Sequence, residues 1–336
     1  MLDETADVRD DAVPPQTLRD LARVLAPLGQ PADVQLLTGG TFATTYRVTL
    51  TDGSRVVVKT APTDAGRLLR YEHDLVRTEA EVYGLAADRP DLLMPRVLLT
   101  DFSRTVLPSD VVVVSHLDGV PLVDVRGPAA AVGARVDHEL GAFMARLHTV
   151  TGDRFGYLNT GSGLTAPTWP EAFGLMLGAL LDDAARWGTP VPDAEVRAAL
   201  ARHTDALAEV TTPVLVHGDL WAGNLFVEPA TGELVGVIDT ERSLWADPLY
   251  ELIGADQMGT RTAPPTLLAG YASAGGAFAL DTAAGRTRLQ LYRLYLSLVL
   301  IIEIAPRAYT GEWVAPHRAT AERLVRGALD VLLGRD

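Results

Sequence analysis

The first regular pattern in the chain begins at Pro14-Pro15, after which Leu18, Leu21, Leu25 and Leu28 recur at helical spacing and stop before Gly29. That spacing predicts an N-terminal helix, capped by the glycine, whose role is to pack on the domain. Short β-rich runs follow at 35–37, 46–50 and 55–59, with Asp52-Gly53 between the last two, a hairpin signal. The segment 38–45 between the first two runs holds Gly39-Gly40 and reads as a loop whose backbone N–H groups could cover phosphates. Residues 64–87 read as a long helix carrying Leu68, Leu75, Val76, Val82 and Tyr83, and strands are expected at 95–100 and Val111–Ser115.

Beyond His116-Leu117-Asp118-Gly119 the pattern changes to long helices at 136–150, 169–187 and 193–210. Leu140, Phe143, Met144 and Leu147 face inward on the first of these, and His148 at its end reads as a packed or capping histidine. Three strand-like runs, Val214–Val216, Leu225–Val227 and 234–238, interrupt the helices, and the remainder is helical apart from breaks at Ala263-Pro264-Pro265 and 305–313. The expected class is α+β, with a small β-rich lobe over 1–115 and a larger helical lobe over 116–336 joined at a cleft.

Composition narrows the function. The 336 residues carry 29 Lys+Arg against 43 Asp+Glu, a net charge of −14, which disfavours nucleic acid as a partner and would attract a cationic small molecule. With no cysteine, thiolate metal sites, disulfides and cysteine nucleophiles are excluded. The acidic start lacks the apolar core of a signal peptide, and the longest apolar run, 294–302, is too short to span a bilayer. The expected location is the cytoplasm, and the expected state a monomer or homodimer. H-E-x-x-H, G-x-S-x-G and Gly-Lys-Ser/Thr patterns are all missing.

Lys59 is the single lysine, so the other 28 basic residues are arginines. It ends a strand beside a glycine-containing loop, where a compact ammonium fits and a broad guanidinium does not. Three acids on the next helix, Glu72, Glu79 and Glu81, could pair with it. Glu79 shares the apolar stripe with Leu75 and Val82, Glu81 points away, and Glu72 remains an alternative. The strand ends after 214–216 and 234–238 present His217, Asp219, Asn224 and Asp239. A carboxylate to orient an acceptor hydroxyl, followed by an amide oxygen and a second carboxylate to hold Mg²⁺, is the order phosphoryl transfer requires.

The run His217-Gly218-Asp219-Leu220-Trp221-Ala222-Gly223-Asn224, with Ile238-Asp239-Thr240-Glu241 and Asp247-Pro248-Leu249-Tyr250-Glu251-Leu252, resembles the aminoglycoside phosphotransferase family, small-molecule kinases with the protein-kinase-like fold. The same run resembles fructosamine kinases, which usually continue with Phe-Asp-Pro where this chain has Ile238-Asp239-Thr240. The resemblance implies transfer of the γ-phosphoryl group of ATP or GTP to a hydroxyl of a polar or cationic antibiotic or related metabolite. It implies Asp219 as catalytic base, Asn224 and Asp239 as Mg²⁺ ligands, Lys59 as the phosphate-binding lysine and Glu79 as its partner. It further implies Ser115 and Leu117 as hinge backbone for adenine, with His217 and Asp247 bracing the loop. Two departures are Thr240, where many relatives carry an aromatic residue, and the loop 39–45, which lacks an asparagine near Thr44. Housekeeping kinases for fructosamine, choline or homoserine, or a nucleotide-binding scaffold, are the alternatives. Asp182, Asp183, Asp256 and Glu303 are further acids that could hold a cationic acceptor; Glu303 could equally pair with Arg293 or Arg307.

Overall fold

A computed structural model describes residues 13–37, 42–125, 130–259 and 263–335. The Gly39-Gly40 loop of the sequence reading lies outside the described residues. In chain order the elements are α1 (Pro15–Leu25), β1 (Pro31–Leu37), β2 (Thr44–Leu50), β3 (Arg55–Thr60), α2 (Leu75–Leu85), β4 (Val97–Asp101), β5 (Val111–Ser115), β6 (Val120–Pro121) and α3 (Ala130–Leu147). There follow β7 (Phe155–Tyr157), β8 (Thr165–Ala166), α4 (Trp169–Arg186), α5 (Asp193–Arg202), α6 (Thr204–Ala208), β9 (Val214–Val216), β10 (Leu225–Val227), β11 (Leu234–Val237) and β12 (Leu244–Ala246). The chain ends in α7 (Tyr250–Gly254), α8 (Pro265–Ser273), α9 (Ala283–Ile302) and α10 (Val314–Leu333).

The N-terminal strands form one antiparallel sheet in the order β1-β2-β3-β5-β4. Because side chains alternate along a strand, β3 offers Val56 and Val58 to one face and Val57 and Lys59 to the other. The first face buries Val56, Val58, Val48, Val111 and Val113 under Leu21, Val24 and Leu25 of α1. The second packs Val112 and Val114 against Val76 and Tyr83 of α2. Lys59 sits opposite Val112 in the β3–β5 register and therefore shares the α2 face.

The expected helix over 64–87 is shorter than its apolar pattern suggested. Residues 64–74 form two 3₁₀ turns, Ala65–Arg67 and Arg70–Glu72, and α2 begins only at Leu75. The Asp64 side chain accepts the Gly66 N–H, a local turn that competes with helix, and Asp74 takes a left-handed conformation at φ 59°. The Arg70 N–H goes to Asp183 Oδ2 at 2.8 Å, so tertiary contacts hold the segment. The helix expected over 193–210 is likewise split at His203, whose Nε2 meets the Leu332 carbonyl oxygen at 2.7 Å.

The larger core lies among the C-terminal helices, where Trp169, Phe173, Tyr292 and Tyr295 pack in tilted and edge-to-face pairs at ring separations of 5.4 to 5.9 Å. Helices α3 and α8 cross closely: a Cβ on Gly141 would lie 2.0 Å from the Leu267 carbonyl oxygen, and one on Gly270 1.9 Å from that of His138. Two small sheets, β11-β10-β6 and β8-β7-β12-β9, face this core and carry the loops described next. Among the described residues no helix is long and apolar enough to cross a membrane.

Candidate active site

Strands β9 and β12 pair antiparallel, Leu244 opposite Val216, so the segment after Val216 emerges from a fixed sheet end. What holds that segment is Glu251 on α7, which is fully buried. Its Oε2 accepts the His217 backbone N–H at 2.8 Å and its Oε1 the Gly218 N–H at 2.9 Å. Burial works against the Glu251 charge, but His148, with Nε2 at 3.6 Å, and His217 outweigh it and hold the carboxyl below its ordinary range. Helix α7 approaches so closely that a Cβ on Gly254 would lie 2.6 Å from the Gly218 carbonyl carbon. Only glycine permits that approach.

His217 does not face the cleft. Its Nε2 donates to the Ile238 carbonyl oxygen at 2.9 Å, and its Nδ1 accepts the Asp219 N–H at 3.2 Å, which fixes the tautomer and braces the loop. Asp219 is 8% exposed. Asn224 Nδ2 donates to the Asp219 carbonyl oxygen at 2.9 Å and lies 3.3 Å from Asp219 Oδ2, which leaves the Asn224 amide oxygen to point elsewhere. The Ile238 N–H donates to the Asn224 carbonyl oxygen at 3.0 Å, and this bond brings Asn224 beside Asp239. Burial raises the Asp219 carboxyl above its ordinary range; Arg242, His217 and Gln257 restrain that rise and Asp239 adds to it.

Across the cleft, Lys59 Nζ lies 2.7 Å from Glu79 Oε2 and 2.5 Å from Asp239 Oδ1. The second contact joins residues 180 apart in sequence and ties β3 to the segment after β11. Burial alone would depress the Lys59 ammonium, but Asp239, Glu79 and Glu241 hold its pKa well above the ordinary value. Glu79, not Glu72, is therefore the partner of the lysine. Tyr83 completes the bridge: its hydroxyl donates to Glu79 Oε1 at 2.6 Å and accepts the Asp239 N–H at 3.1 Å.

The donors around Asp239 suit a hard divalent cation. Glu79, Asp239 and Glu241 offer carboxylate oxygens within 4.8 Å of one another. Glu241 Oε2 is buried without a hydrogen-bond partner, 3.9 Å from Lys59. An all-oxygen set with an orphaned buried oxygen matches Mg²⁺ rather than a soft metal.

The other expected residues divide by neighbourhood. Ser115 gives its N–H to the Arg96 carbonyl oxygen at 2.9 Å and its Oγ accepts the Arg96 N–H at 3.0 Å, so its own N–H is already used within the lobe. Leu117, two residues on, packs its side chain over Gly236. Asp247 braces α9, accepting Arg288 Nε at 2.7 Å and the Tyr292 hydroxyl at 2.8 Å. Of the four acids considered for an acceptor, Asp183 holds the Arg70 N–H, Asp256 lies 3.4 Å from Arg293, and Glu303 lies 3.1 Å from Arg242 and 3.6 Å from Arg307. Asp182 is exposed on α4. Glu72 joins the Glu303 cluster by pairing with Arg307.

Sequence reasoning missed Tyr83, Arg242 and Gln257, and it did not assign Glu251 the role of cradle. Gln257 is the most consequential, since its Nε2 donates to Asp219 Oδ1. The only signal for it was proximity in sequence to the Asp247–Leu252 run.

A family model described as the phosphotransferase enzyme family matches residues 33–292. Among solved structures, a candidate fructosamine-3-kinase from Thermobifida fusca aligns at 22% identity over 92% of this chain and 97% of its own, with a TM-score of 0.63. A thermostable mutant of aminoglycoside phosphotransferase APH(4)-Ia, in a ternary complex with AMP-PNP and hygromycin B, aligns at 20% identity over 93% of this chain and 98% of its own, TM-score 0.59. The macrolide 2'-phosphotransferase MphH from Brachybacterium faecium aligns at 19% over 92% and 98%, TM-score 0.57. These likenesses are of fold: the chain has the bilobal, protein-kinase-like α+β architecture of these structures.

Proposed function

From the premise that this chain belongs to the phosphotransferase enzyme family and is a small-molecule phosphotransferase, we propose that it transfers the γ-phosphoryl group of ATP or GTP to a hydroxyl of an antibiotic or related secondary metabolite. The observation that carries this reading is the convergence of Lys59, Asp239, Asn224 and Asp219 from separate parts of the chain into one partly buried cluster.

In this reading the nucleotide lies between the lobe of residues 1–115 and the lobe of residues 116–336. The Ser115 carbonyl and the Leu117 N–H pair with the adenine edge, while Lys59, held by Glu79, which Tyr83 in turn fixes, places its ammonium on the phosphates. Asn224 and Asp239 would hold Mg²⁺, which would offset the negative charge of the phosphates. Asp219 orients the acceptor hydroxyl in line with the γ-phosphorus and takes its proton as the new phosphorus–oxygen bond forms. The bond from that phosphorus to the β,γ-bridging oxygen breaks, and the nucleoside diphosphate leaves with the electron pair. The Glu251 cradle keeps Asp219 in that position, and the buried setting strengthens each of these charge contacts.

The antibiotic reading is supported by the neighbours that bind hygromycin B or act on macrolides; the second reading, a glycated amine, is supported by the fructosamine-3-kinase neighbour and by the His217–Asn224 run. A panel of aminoglycosides, macrolides and fructosamines, incubated with Mg²⁺ and ATP or GTP, separates them by mass gain on the acceptor. Phosphorylation of a fructosamine alone would overturn the antibiotic assignment and leave the kinase chemistry standing.

A further inference from the structure

Asp219 has two carboxylate oxygens, and both face an amide. Oδ2 is turned towards Asn224 Nδ2 at 3.3 Å, on the side of the metal ligands. Oδ1, the oxygen left for an acceptor, takes a hydrogen bond from Gln257 Nε2. We propose that Gln257 senses the acceptor: with the acceptor place empty its amide occupies Asp219 Oδ1 and keeps water off it, and an acceptor hydroxyl takes over that oxygen by displacing the amide. This inference rests on the kinase reading above.

The anchoring of Gln257 fits such a role. Its backbone is clamped from α9, where Arg293 donates one guanidinium nitrogen to the carbonyl oxygens of Asp256 at 2.5 Å and Gln257 at 3.0 Å. The same guanidinium lies 3.4 Å from the Asp256 carboxylate. The side chain itself is only half-buried and reaches Asp219 through three rotatable bonds, so it can swing aside while its backbone stays in place. The bond it makes is to a buried carboxylate, the stronger class of hydrogen bond, and an aliphatic residue there would leave Oδ1 open to solvent.

Opening Oδ1 has a defined chemical result. A water molecule hydrogen-bonded to Asp219 can act as the acceptor. Its oxygen forms a bond to the γ-phosphorus, the bond from that phosphorus to the β,γ-bridging oxygen breaks, and the electron pair leaves with ADP. The water proton passes through Asp219 to solvent, and inorganic phosphate is released. Gln257 is thus a positioning residue that suppresses hydrolysis of the donor when no acceptor is bound.

The test measures ADP release from Mg·ATP without any acceptor, in the full chain and in Gln257→Ala, Asp219→Ala and the double variant, with binding of a fluorescent ATP analogue as a check on folding. The expected result is about a tenfold or greater rise in acceptor-free turnover for Gln257→Ala, as a hydrogen bond to a charged group implies. That gain should vanish in the double variant. Turnover of Gln257→Ala at or below wild type, with nucleotide still bound, overturns the inference and makes Gln257 a fixed brace. A rise that persists without Asp219 overturns it as well. If none of the four proteins binds Mg·ATP or Mg·GTP, the kinase reading falls with it.

Discussion

Replacing Glu251 by glutamine tests how the catalytic loop is held. The change conserves shape but turns one acceptor oxygen into an NH₂ group, which must face the N–H of either His217 or Gly218, now at 2.8 and 2.9 Å from the carboxylate. One charge-assisted bond, worth ~1.5–3 kcal/mol, is lost and one buried donor is left unmatched, at ~1–3 kcal/mol more. The sum, about 2.5–6 kcal/mol, is large beside a typical total stability of about 5–15 kcal/mol. Urea unfolding followed by tryptophan fluorescence at neutral pH measures it. The sign of the pH dependence is also set. Glu251 is held below its ordinary range when folded, so its stabilisation is present above the unfolded value and is lost as pH falls through the folded value. Glu251→Gln should therefore lie parallel to wild type at neutral pH and converge on it in acid. Relaxation of the loop by about 1 Å should also lower kcat by about a hundredfold. A loss of stability under about 0.5 kcal/mol, with kcat unchanged, would refute the cradle.

Three further outcomes follow from the same contacts. Lys59→Arg should lower kcat/KM by at least about a hundredfold, because a single ammonium meets both Glu79 and Asp239 at 2.7 and 2.5 Å and a guanidinium fork does not fit there; activity near wild type would remove the lysine from the mechanism. Arg307→Ala should destabilise the protein by about 3–5 kcal/mol in thermal or urea unfolding, since it strips a partner from Glu72 and Glu303, both almost fully buried; a change under about 1 kcal/mol would mean that solvent enters the cluster. Gly270→Ala places a methyl group 1.9 Å from the His138 carbonyl oxygen, so the melting temperature should fall while Mg·ATP affinity in the surviving folded fraction stays unchanged.

How far the sequence could be read depended on the range of the contacts. Alternation over 55–59 placed Lys59 on the right face of its strand, and helical spacing selected Glu79, because both are local periodicities. Asp219, Asn224 and Asp239 follow strands close together in sequence, and sheet register is what brings those strand ends side by side. The helix over-read at 64–74 had the opposite cause. Its apolar residues fit a helix, yet Asp64 makes a local turn and Glu72 pairs with Arg307, 235 residues away. Glu303 was left between two readings, and the ion pair with Arg307, joined by Arg242, is what the chain forms. Gln257 and Tyr83 act through contacts 38 and 156 residues distant, which no window of local pattern contains.

In the proposed reaction the γ-phosphoryl group of a nucleotide passes to an acceptor hydroxyl oriented by Asp219. The most direct measurement is mass spectrometry of an acceptor turned over with Mg²⁺ and ATP whose γ-phosphoryl oxygens carry ¹⁸O. The account predicts a phosphomonoester that keeps the labelled oxygens, bridged to the acceptor through the acceptor's own unlabelled oxygen, and no such product from Asp219→Ala. Label found only in inorganic phosphate across the whole acceptor panel, an acceptor carrying a nucleotidyl group, or full transfer by Asp219→Ala would contradict it.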